Sequence, residues 1–315
     1  MILAAGLTPA WQQILVFDDF RYGEVNRAAE AHWCGSGKVL NAGIAAHLLG
    51  GPSLTLAPLG GPPLKEIDRQ LAKIGVPRRW VRTRAATRVC TTLLERATGR
   101  MTELVENGRP LRPQEMAAFV QAYREEAARA SVVILIGSLP FGAPVTLYRE
   151  LAEATPCPMV LDFRADGLLS LLDLKPLVVK PNREELAQTV ERPLADDADL
   201  HAAMRELNQR GAQWVVVTQG PGPVWISSAN ELLRFTPPPV AAIVNPIGCG
   251  DALAAGIAWQ IRAGGSVPDA VALGMAAAAE NLASLLPCRL DGPSVHRRAQ
   301  AGAIAPVSWA AAPPV

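Results

Sequence analysis

The sequence is poor in the residues on which several classes of protein depend. Aromatic residues make up 5% of its 315 residues and charged residues 19%, with a formal net charge of +1. This charge balance offers no electrostatic basis for binding nucleic acid or an anionic membrane surface, and so few aromatic residues provide no platform for stacking bases. The composition therefore predicts neither a nucleic acid nor a membrane as partner.

Metal-binding and redox motifs are also missing. The five cysteines contain no Cys-x-x-Cys pair, and only four histidines could serve as further ligands. An odd number of scattered cysteines predicts reduced thiols rather than a disulfide framework or a zinc site. No apolar run reaches the length that spans a bilayer, and the apolar N-terminal run lacks the basic residues of a signal peptide. We therefore expect a cytoplasmic protein.

The sequence does contain a regular alternation of short apolar segments and amphipathic segments. After a first strand at residues 2–7, this alternation is clearest from residue 113 onward, where the apolar run 132–136 predicts a further buried strand. Alternating strands and helices predict an α/β fold with a mostly parallel sheet that is covered on both faces. Ligands of such sheets bind at the C-terminal ends of the strands.

Two segments interrupt the alternation. Residues 14–17 and 24–33 are predicted to form short strands of mixed polarity within the segment 14–34, and residues 82–106 form an antiparallel hairpin pattern around a Thr98-Gly99 turn. Together they predict a small β-sheet lid, inserted at two places into a core of residues 1–13, 35–81 and 107–315. Because such a lid has exposed strand edges, we expect it to pair with a second lid in a homodimer. The tail after Ala301, rich in Ala and Pro, is expected to fray.

The most informative stretch is Gly248-Cys249-Gly250-Asp251. The apolar residues 240–244 before it predict a buried strand, and apolar residues every fourth position from Leu253 to Ile261 predict a helix after it. Glycines at a strand-to-helix turn direct N–H groups to one point in front of the helix, which suits an anion. A carboxylate beside that point can take a proton from a hydroxyl while the N–H groups receive a phosphoryl group. The pattern indicates phosphoryl transfer to an alcohol, and a simple βα turn remains the alternative.

Two familiar phosphate-binding motifs do not fit. Gly35-Ser36-Gly37-Lys38 is not a Walker A motif, because His32 and Val39 stand where a glycine and a Ser or Thr are needed. The stretch Gly248-Cys249-Gly250-Asp251, called the signature below, has Leu253 at the position where a dinucleotide-binding turn has its third glycine. These mismatches disfavour a P-loop NTPase and an NAD-dependent dehydrogenase.

Five segments, in order along nearly the whole chain, resemble the PfkB sugar kinase family with its ribokinase-like fold. They are Ser36-Gly37-Lys38-Val39-Leu40-Asn41, Gly137-Ser138-Leu139-Pro140-x-Gly142, Lys180-Pro181-Asn182-Arg183-Glu184-Glu185, Thr218-Gln219-Gly220-Pro221-Gly222 and Gly248-Cys249-Gly250-Asp251. The resemblance implies a single kinase domain with a three-layer α/β/α core and the lid.

The resemblance also implies roles for individual residues. Asp251 would be the general base, with the amides of Gly248, Cys249 and Gly250 as the anion hole. ATP and Mg²⁺ would be the cofactors, and Asn182 and Glu185 would hold the ion, through water. The nucleotide site would further include Lys180, Thr218, Gly220 and Gly222. From the residues alone, an N-cap at Asn182 and a capping-box acid at Glu185 remain the alternative.

For the acceptor, Thr8-Pro9-Ala10, residues 23–27 and Thr87-Arg88 look most like the branch of 1-phosphofructokinases and tagatose-6-phosphate kinases. A hexose phosphate is then the expected substrate, with its phosphate gripped by Lys38 and Arg88. The other expected acceptor-side residues are Gln12, Gly37, Asn41 and Ser138.

Several acceptor-side residues depart from that branch. Gln12 stands where the branch has an aspartate, Ser36 and Val39 replace glycines, and Cys90 occupies a lid position that tends to carry asparagine. An unphosphorylated sugar or a nucleoside as acceptor, or a non-catalytic sugar-phosphate sensor, therefore stay open as alternatives. Glu280 and Asn281 receive no predicted role.

Overall fold

The computed structural model describes residues 1–300 and 307–308, which form ten helices and two sheets. In chain order the strands are β1 (Ile2–Ala5), β2 (Ala10–Phe17), β3 (Glu30–Ser36), β4 (Ser53–Gly60), β5 (Arg78–Thr83), β6 (Arg88–Glu95), β7 (Met101–Val105), β8 (Val132–Ile136), β9 (Met159–Asp162), β10 (Val178–Val179), β11 (Trp214–Val217), β12 (Val224–Ser227), β13 (Leu232–Phe235) and β14 (Val307–Ser308). The helices are α1 (Lys38–Leu48), α2 (Pro62–Lys73), α3 (Pro113–Ala127), α4 (Leu147–Glu153), α5 (Asp166–Leu169), α6 (Arg183–Thr189), α7 (Asp197–Gln209), α8 (Cys249–Arg262), α9 (Val267–Leu282) and α10 (Gly292–Gln300).

The large sheet has the strand order β14-β13-β12-β11-β10-β9-β8-β1-β4-β5. The strands β11, β10, β9, β8, β1, β4 and β5 are parallel to their neighbours. Strands β12, β13 and β14 extend the sheet beyond β11 with antiparallel pairing. Successive strand residues are buried on opposite faces, as in the pair Val133 and Ile134. One face packs against α1, α8 and α9 and the other against α3, α4 and α7. The predicted three-layer α/β/α core is confirmed.

The helix that carries the signature is held close to its neighbour. Where α8 crosses α9, a Cβ at Gly256 would lie 2.5 Å from the Cα of Gly274. Only glycine permits this approach, and the contact buries the apolar stripe of α8 around Leu253 and Ile257. The start of α8 is thereby fixed relative to the sheet.

The small second sheet is also confirmed, with the order β3-β2-β6-β7. Its strands differ from the predicted segments: β2 starts at Ala10, and residues 82–83 belong to β5 of the large sheet. The predicted strand over residues 24–33 was wrong in its first half. Residues 24–29 are instead a loop, because the Asn26 side chain bonds the backbone N–H and carbonyl of Arg21 and so competes with strand pairing. The division into a core and a lid stays a proposal.

Strand β7 forms an outer edge of the small sheet. All five of its residues are exposed, among them Met101, Leu104 and Val105. The expectation that a second copy covers this edge stays a prediction. The predicted fraying of the tail after Ala301 lies outside the described residues, apart from the pair 307–308, which bonds to β13.

The buried strand predicted over residues 240–244 was wrong. These residues form a loop in which the side chains of Ile243 and Val244 are 63% and 42% exposed. The preceding three prolines cannot donate hydrogen bonds to a strand, and the N–H of Val244 donates instead to the carbonyl of Leu282 at the end of α9. Among the described helices, none combines the length and the apolarity needed to cross a bilayer.

Candidate active site

A cavity of about 450 Å³ brings most of the predicted site residues together. It is lined by ends of the parallel strands, by the first turns of α1, α6 and α8, and by one face of the small sheet. The predicted residues that line it are Gln12, Gly37, Lys38, Asn41, Arg88, Lys180, Asn182, Glu185, Thr218, Gly220, Gly248, Cys249, Gly250 and Asp251. Ser138 and Gly222 do not line this cavity. Ser138 lies behind it, where its carbonyl accepts from the Thr8 hydroxyl at 3.1 Å.

Asp251 lies in the first turn of α8, after Gly248 has turned the chain with φ 90° and ψ −4°. Its side chain is buried, and its Oδ2 accepts from Nδ2 of Asn41 at 2.8 Å. Burial, followed by the charge of Asp162, raises the pKa of Asp251 to about 6, although Lys38 and Lys180 oppose the shift. A carboxylate with this pKa is ionised at neutral pH and basic enough to accept a proton from a reacting hydroxyl.

Asn41 orients this carboxylate. Its Oδ1 accepts from the Ser36 hydroxyl at 3.0 Å, which leaves its NH₂ group directed at Asp251. Ser36, which departs from the glycine of the related branch, thus has a role in holding Asn41. The predicted contact of Asn41 with sugar hydroxyls stays a prediction.

The start of α8 offers backbone donors beside Asp251. The N–H groups of a first helical turn have no acceptor within the helix, and that of Cys249 makes one long bond of 3.3 Å to the carbonyl of Pro246. A Cβ at Gly250 would lie 3.4 Å from Nζ of Lys180, so an ammonium group stands next to these amides. The combination suits a phosphoryl group.

The sequence reasoning missed Asp162, the last residue of β9. Its side chain is 1% exposed and forms two ion pairs, at 2.7 Å to Nζ of Lys38 and 2.8 Å to Nζ of Lys180. Burial opposes ionisation, but the two ammonium groups outweigh it and hold the pKa of Asp162 below its ordinary value. An acid at the C-terminal end of the apolar run 159–161 was the available signal.

Lys38 is therefore bonded to carboxylates of β9 and α6. Besides Asp162, its Nζ contacts Oε1 of Glu185 at 3.2 Å. Two of the three N–H donors of this ammonium group are used in these contacts, and the predicted grip of Lys38 on a sugar phosphate stays a prediction.

Asn182 and Glu185 form a capping box at the start of α6. Oδ1 of Asn182 accepts from the N–H of Glu185 at 2.8 Å, and Oε2 of Glu185 accepts from the N–H of Asn182 at 3.0 Å. With Lys38 on the other carboxylate oxygen, these groups are already bonded. No cluster of three or more His, Cys, Asp or Glu that could hold a metal ion occurs in the described residues. The donor set fits only an ion held through water, as Mg²⁺ commonly is.

One side of the cavity, predicted to hold the acceptor, is formed by alternate residues of the small sheet. Arg88 donates to three backbone carbonyls, those of Thr8 at 3.0 Å, Pro9 at 3.4 Å and Glu106 at 2.9 Å. Gln12, which replaces the expected aspartate, donates from Nε2 to the Thr92 hydroxyl at 2.7 Å. Glu103 also lines the cavity, although the sequence reasoning did not select it.

Two buried asparagines support the turn before α8. Nδ2 of Asn281 donates to the carbonyl of Ile247 at 2.9 Å, and its Oδ1 accepts from the N–H of Cys288 at 2.6 Å. Asn245 accepts from the N–H of Ile247 at 3.0 Å. Asn281, which had no predicted role, thus holds in place the turn that precedes the signature. Glu280 instead faces α10, where it accepts from Ser294 at 3.4 Å.

A buried carboxylate beside the first-turn amides of a helix, at the C-terminal edge of a parallel sheet, suits a phosphotransferase that acts on a hydroxyl group. A profile of the pfkB family carbohydrate kinases matches residues 6–287. The chain belongs to that family, and it is an ATP-dependent sugar kinase.

Solved structures share the fold. A possible 1-phosphofructokinase from Thermotoga maritima is 20% identical, with a TM-score of 0.86 over 98% of this chain and 99% of that one. The tetrameric inhibited form of phosphofructokinase-2 from Escherichia coli is 22% identical, with a TM-score of 0.85 over 95% and 98%. The same enzyme in complex with fructose-6-phosphate is 23% identical, with a TM-score of 0.82 over 96% and 99%. At these identities the likeness shows the ribokinase-like fold.

Proposed function

We propose that this kinase transfers the γ-phosphoryl group of ATP to a hydroxyl of a hexose or hexose phosphate, with Asp251 as the general base. The main support for the proposal is the carboxylate of Asp251, which is buried at the start of α8. Its pKa is raised to about 6. It shares one cavity with the ammonium groups of Lys38 and Lys180.

In the proposed reaction Asp251 accepts the proton of the acceptor hydroxyl. The hydroxyl oxygen forms a bond to the γ-phosphorus while the bond from that phosphorus to the ADP oxygen breaks. Lys180 and the first-turn amides of α8 face the negative charge on the transferred group. Fixed donors of this kind stabilise the transition state because they need no reorganisation during the reaction.

The nucleotide side is proposed to include Lys180, Asn182, Thr218, Gly220 and, at the end of its turn, Gly222. A Cβ at Gly220 would meet no atom within 4 Å, so the loop leaves open space beside the strand end. Mg²⁺, held through water by Asn182 and Glu185, would neutralise phosphate charge.

Two acceptor classes are compatible with this chemistry. The names of the structural neighbours favour a sugar phosphate. An unphosphorylated sugar is favoured by the pairing of Lys38 with two carboxylates, whereas the guanidinium of Arg88 keeps its charge when it bonds backbone carbonyls and so favours a phosphate.

The test is ADP release from MgATP in the presence of single acceptors. The panel should contain free ketohexoses and aldohexoses, fructose 1-phosphate, fructose 6-phosphate, tagatose 6-phosphate and nucleosides. We expect acceptor-dependent ADP release with at least one hexose or hexose phosphate. Activity confined to nucleosides, or ATP binding without turnover on any acceptor, would contradict the proposal.

The pH dependence of kcat/KM should follow Asp251. Because its pKa is raised to about 6, the carboxylate is ionised above that pH and protonated below it. We expect kcat/KM to be level above about pH 7 and to fall about tenfold per pH unit below about pH 5. The measurement is initial rates at subsaturating acceptor from pH 4.5 to 8.5, with stability checked at each pH. A level profile from pH 4.5 to 7 would rule out a base with this pKa.

A further inference from the structure

The turn that precedes α8 is held by two buried asparagines that do not line the cavity. Asn245 and Asn281 are both 0% exposed. They bond the two backbone polar groups of one residue. The N–H of Ile247 donates to Oδ1 of Asn245 at 3.0 Å, and the carbonyl of Ile247 accepts from Nδ2 of Asn281 at 2.9 Å. Because Ile247 itself lines the cavity, these bonds fix a piece of the cavity wall from outside.

The carbonyl of Ile247 belongs to the same peptide group as the N–H of Gly248. This peptide is trans, and in a planar trans peptide the carbonyl and the N–H point in opposite directions. Because the carbonyl of Ile247 points at Asn281, the N–H of Gly248 points away from Asn281. Within the part of the chain that the structure describes, this N–H has no acceptor. A donor without a protein partner thus lies at the cavity, on the side of the peptide opposite to Asn281.

The orientation of the Asn281 amide is fixed by its other bonds. Its Nδ2 also donates to Sγ of Cys249 at 3.2 Å, and its Oδ1 accepts from the N–H of Cys288 at 2.6 Å. A Cβ on Gly248 would lie 3.4 Å from Oδ1 of Asn281, so the amide lies directly behind the turn. A buried amide is costly to desolvate unless its polar atoms are bonded. Here the compensating bonds all go to the start of α8, the turn before it and the loop after α9.

We propose that Asn281 is a positioning residue for phosphoryl transfer, because it sets the peptide plane that presents the N–H of Gly248 to the transferred group. Donors that are fixed before the reaction stabilise the charge of the transition state without reorganisation. Without Asn281 the peptide between Ile247 and Gly248 is free to rotate, and its N–H no longer keeps one direction. The inference rests on the proposed function and assigns a part in it to a residue that does not line the cavity.

The first test compares turnover of the wild-type chain with that of two uncharged variants, Asn281→Leu and Asn281→Ser. Leucine keeps the volume of the side chain, and serine leaves room for water to pair the released backbone groups. We expect kcat to fall about tenfold to a hundredfold in both, less than the loss of a whole donor would cost. The acid limb of the kcat/KM profile should stay at the pH of the wild-type chain, because Asp251 keeps its neighbours. Urea unfolding establishes that each variant is folded under the assay conditions.

Asn208→Leu is the matched control for the loss of an asparagine that bonds backbone. Nδ2 of Asn208 donates to the carbonyls of Ala212 at 2.9 Å and Ser227 at 3.2 Å. Ala212 precedes β11, whose other end reaches the cavity at Thr218. The control should therefore lower stability and leave kcat unchanged.

Nucleotide binding tests the donor without any acceptor. Calorimetric titration of MgADP, with and without aluminium fluoride as an analogue of the phosphoryl group in transfer, measures how strongly the start of α8 holds that group. We expect aluminium fluoride to tighten ADP binding to the wild-type chain, and this tightening to be about tenfold smaller in Asn281→Leu and Asn281→Ser.

The outcomes separate a failure of this inference from a failure of the proposed function. Equal tightening in the wild-type chain and the folded variants, or kcat values within about twofold of the wild type, would overturn the role of Asn281 alone. No tightening in any of the proteins, together with no turnover, would refute the proposed phosphoryl transfer and the inference with it.

Discussion

Replacing Asp251 with Asn should lower kcat by about 10²- to 10⁴-fold, the usual contribution of a general base. The Kd for ATP should remain close to that of the wild-type chain. Asparagine keeps the shape of the side chain and an oxygen that can accept from Nδ2 of Asn41, but its amide cannot take a proton from the acceptor. The measurements are steady-state ADP release with the acceptor found active and calorimetric titration of ATP.

The same substitution should make the chain more stable above pH 6. Burial raises the pKa of Asp251 from 3.8 to about 6, so the folded protein favours the protonated form more than the unfolded chain does. Stability from this group is therefore complete below about pH 4 and is lost as pH rises to about 6. A shift of this size corresponds to about 3 kcal/mol, and Asp251→Asn should recover up to that amount at pH 7 to 8.

Urea unfolding at pH 4 and pH 8 tests the linkage, since the gain in unfolding free energy should be present only at pH 8. Asp19→Asn, which changes an exposed carboxylate on the loop after β2, should alter neither kcat nor stability. Turnover of Asp251→Asn near the wild-type rate would remove Asp251 from the role of base. A loss of turnover accompanied by lower stability at both pH values would indicate a damaged fold instead.

The sequence predicts the large sheet from the apolar pattern of its strands, and it predicts the site from the residues that follow those strands. Strand β8 was predicted over the residues that form it, because the uninterrupted run of Val, Ile and Leu is typical of a strand buried on both faces. The strand-end rule then places the signature, Lys180 and Thr218 around one cavity. These features could be predicted because they depend on backbone topology, which the periodicity of apolar residues largely determines.

Contacts between side chains from distant segments could not be predicted in this way. The ion pairs of Asp162 join residues 124 and 18 positions away in the chain, and Asn41 meets Asp251 across 210 positions. The apolar run at residues 240–244 misled for a related reason. Its hydrophobicity indicates a strand, but a strand also needs a partner with free backbone groups. The preceding strand, β13, already pairs with β12 on one side and β14 on the other. The local sequence pattern carries no information about whether such a partner is available.

Replacing Asp162 with Asn should lower the free energy of unfolding by about 3–5 kcal/mol, the usual cost of breaking a buried ion pair by removing one partner. Lys180 is 3% exposed, and without Asp162 its ammonium group loses the carboxylate at 2.8 Å. Urea unfolding at pH 8 measures the change. Asp18→Asn, which breaks an exposed pair with Arg96, is the matched control and should leave the transition nearly unchanged, because exposed pairs contribute little.

The second effect of Asp162→Asn distinguishes an electrostatic role in the site from a purely structural one. The charge of Asp162 helps to raise the pKa of Asp251, while Lys38 and Lys180 lower it. Removing the Asp162 charge removes a negative charge that disfavours ionisation of Asp251, while both lysines remain, so the acid limb of the kcat/KM profile should move from about pH 6 to lower pH. The measurement needs only the position of the limb, so rates can be compared relative to the plateau of the variant itself. A limb that stays at the wild-type pH while stability falls would mean that Asp162 holds the fold without tuning the base, and the raised pKa of Asp251 would then rest on burial alone.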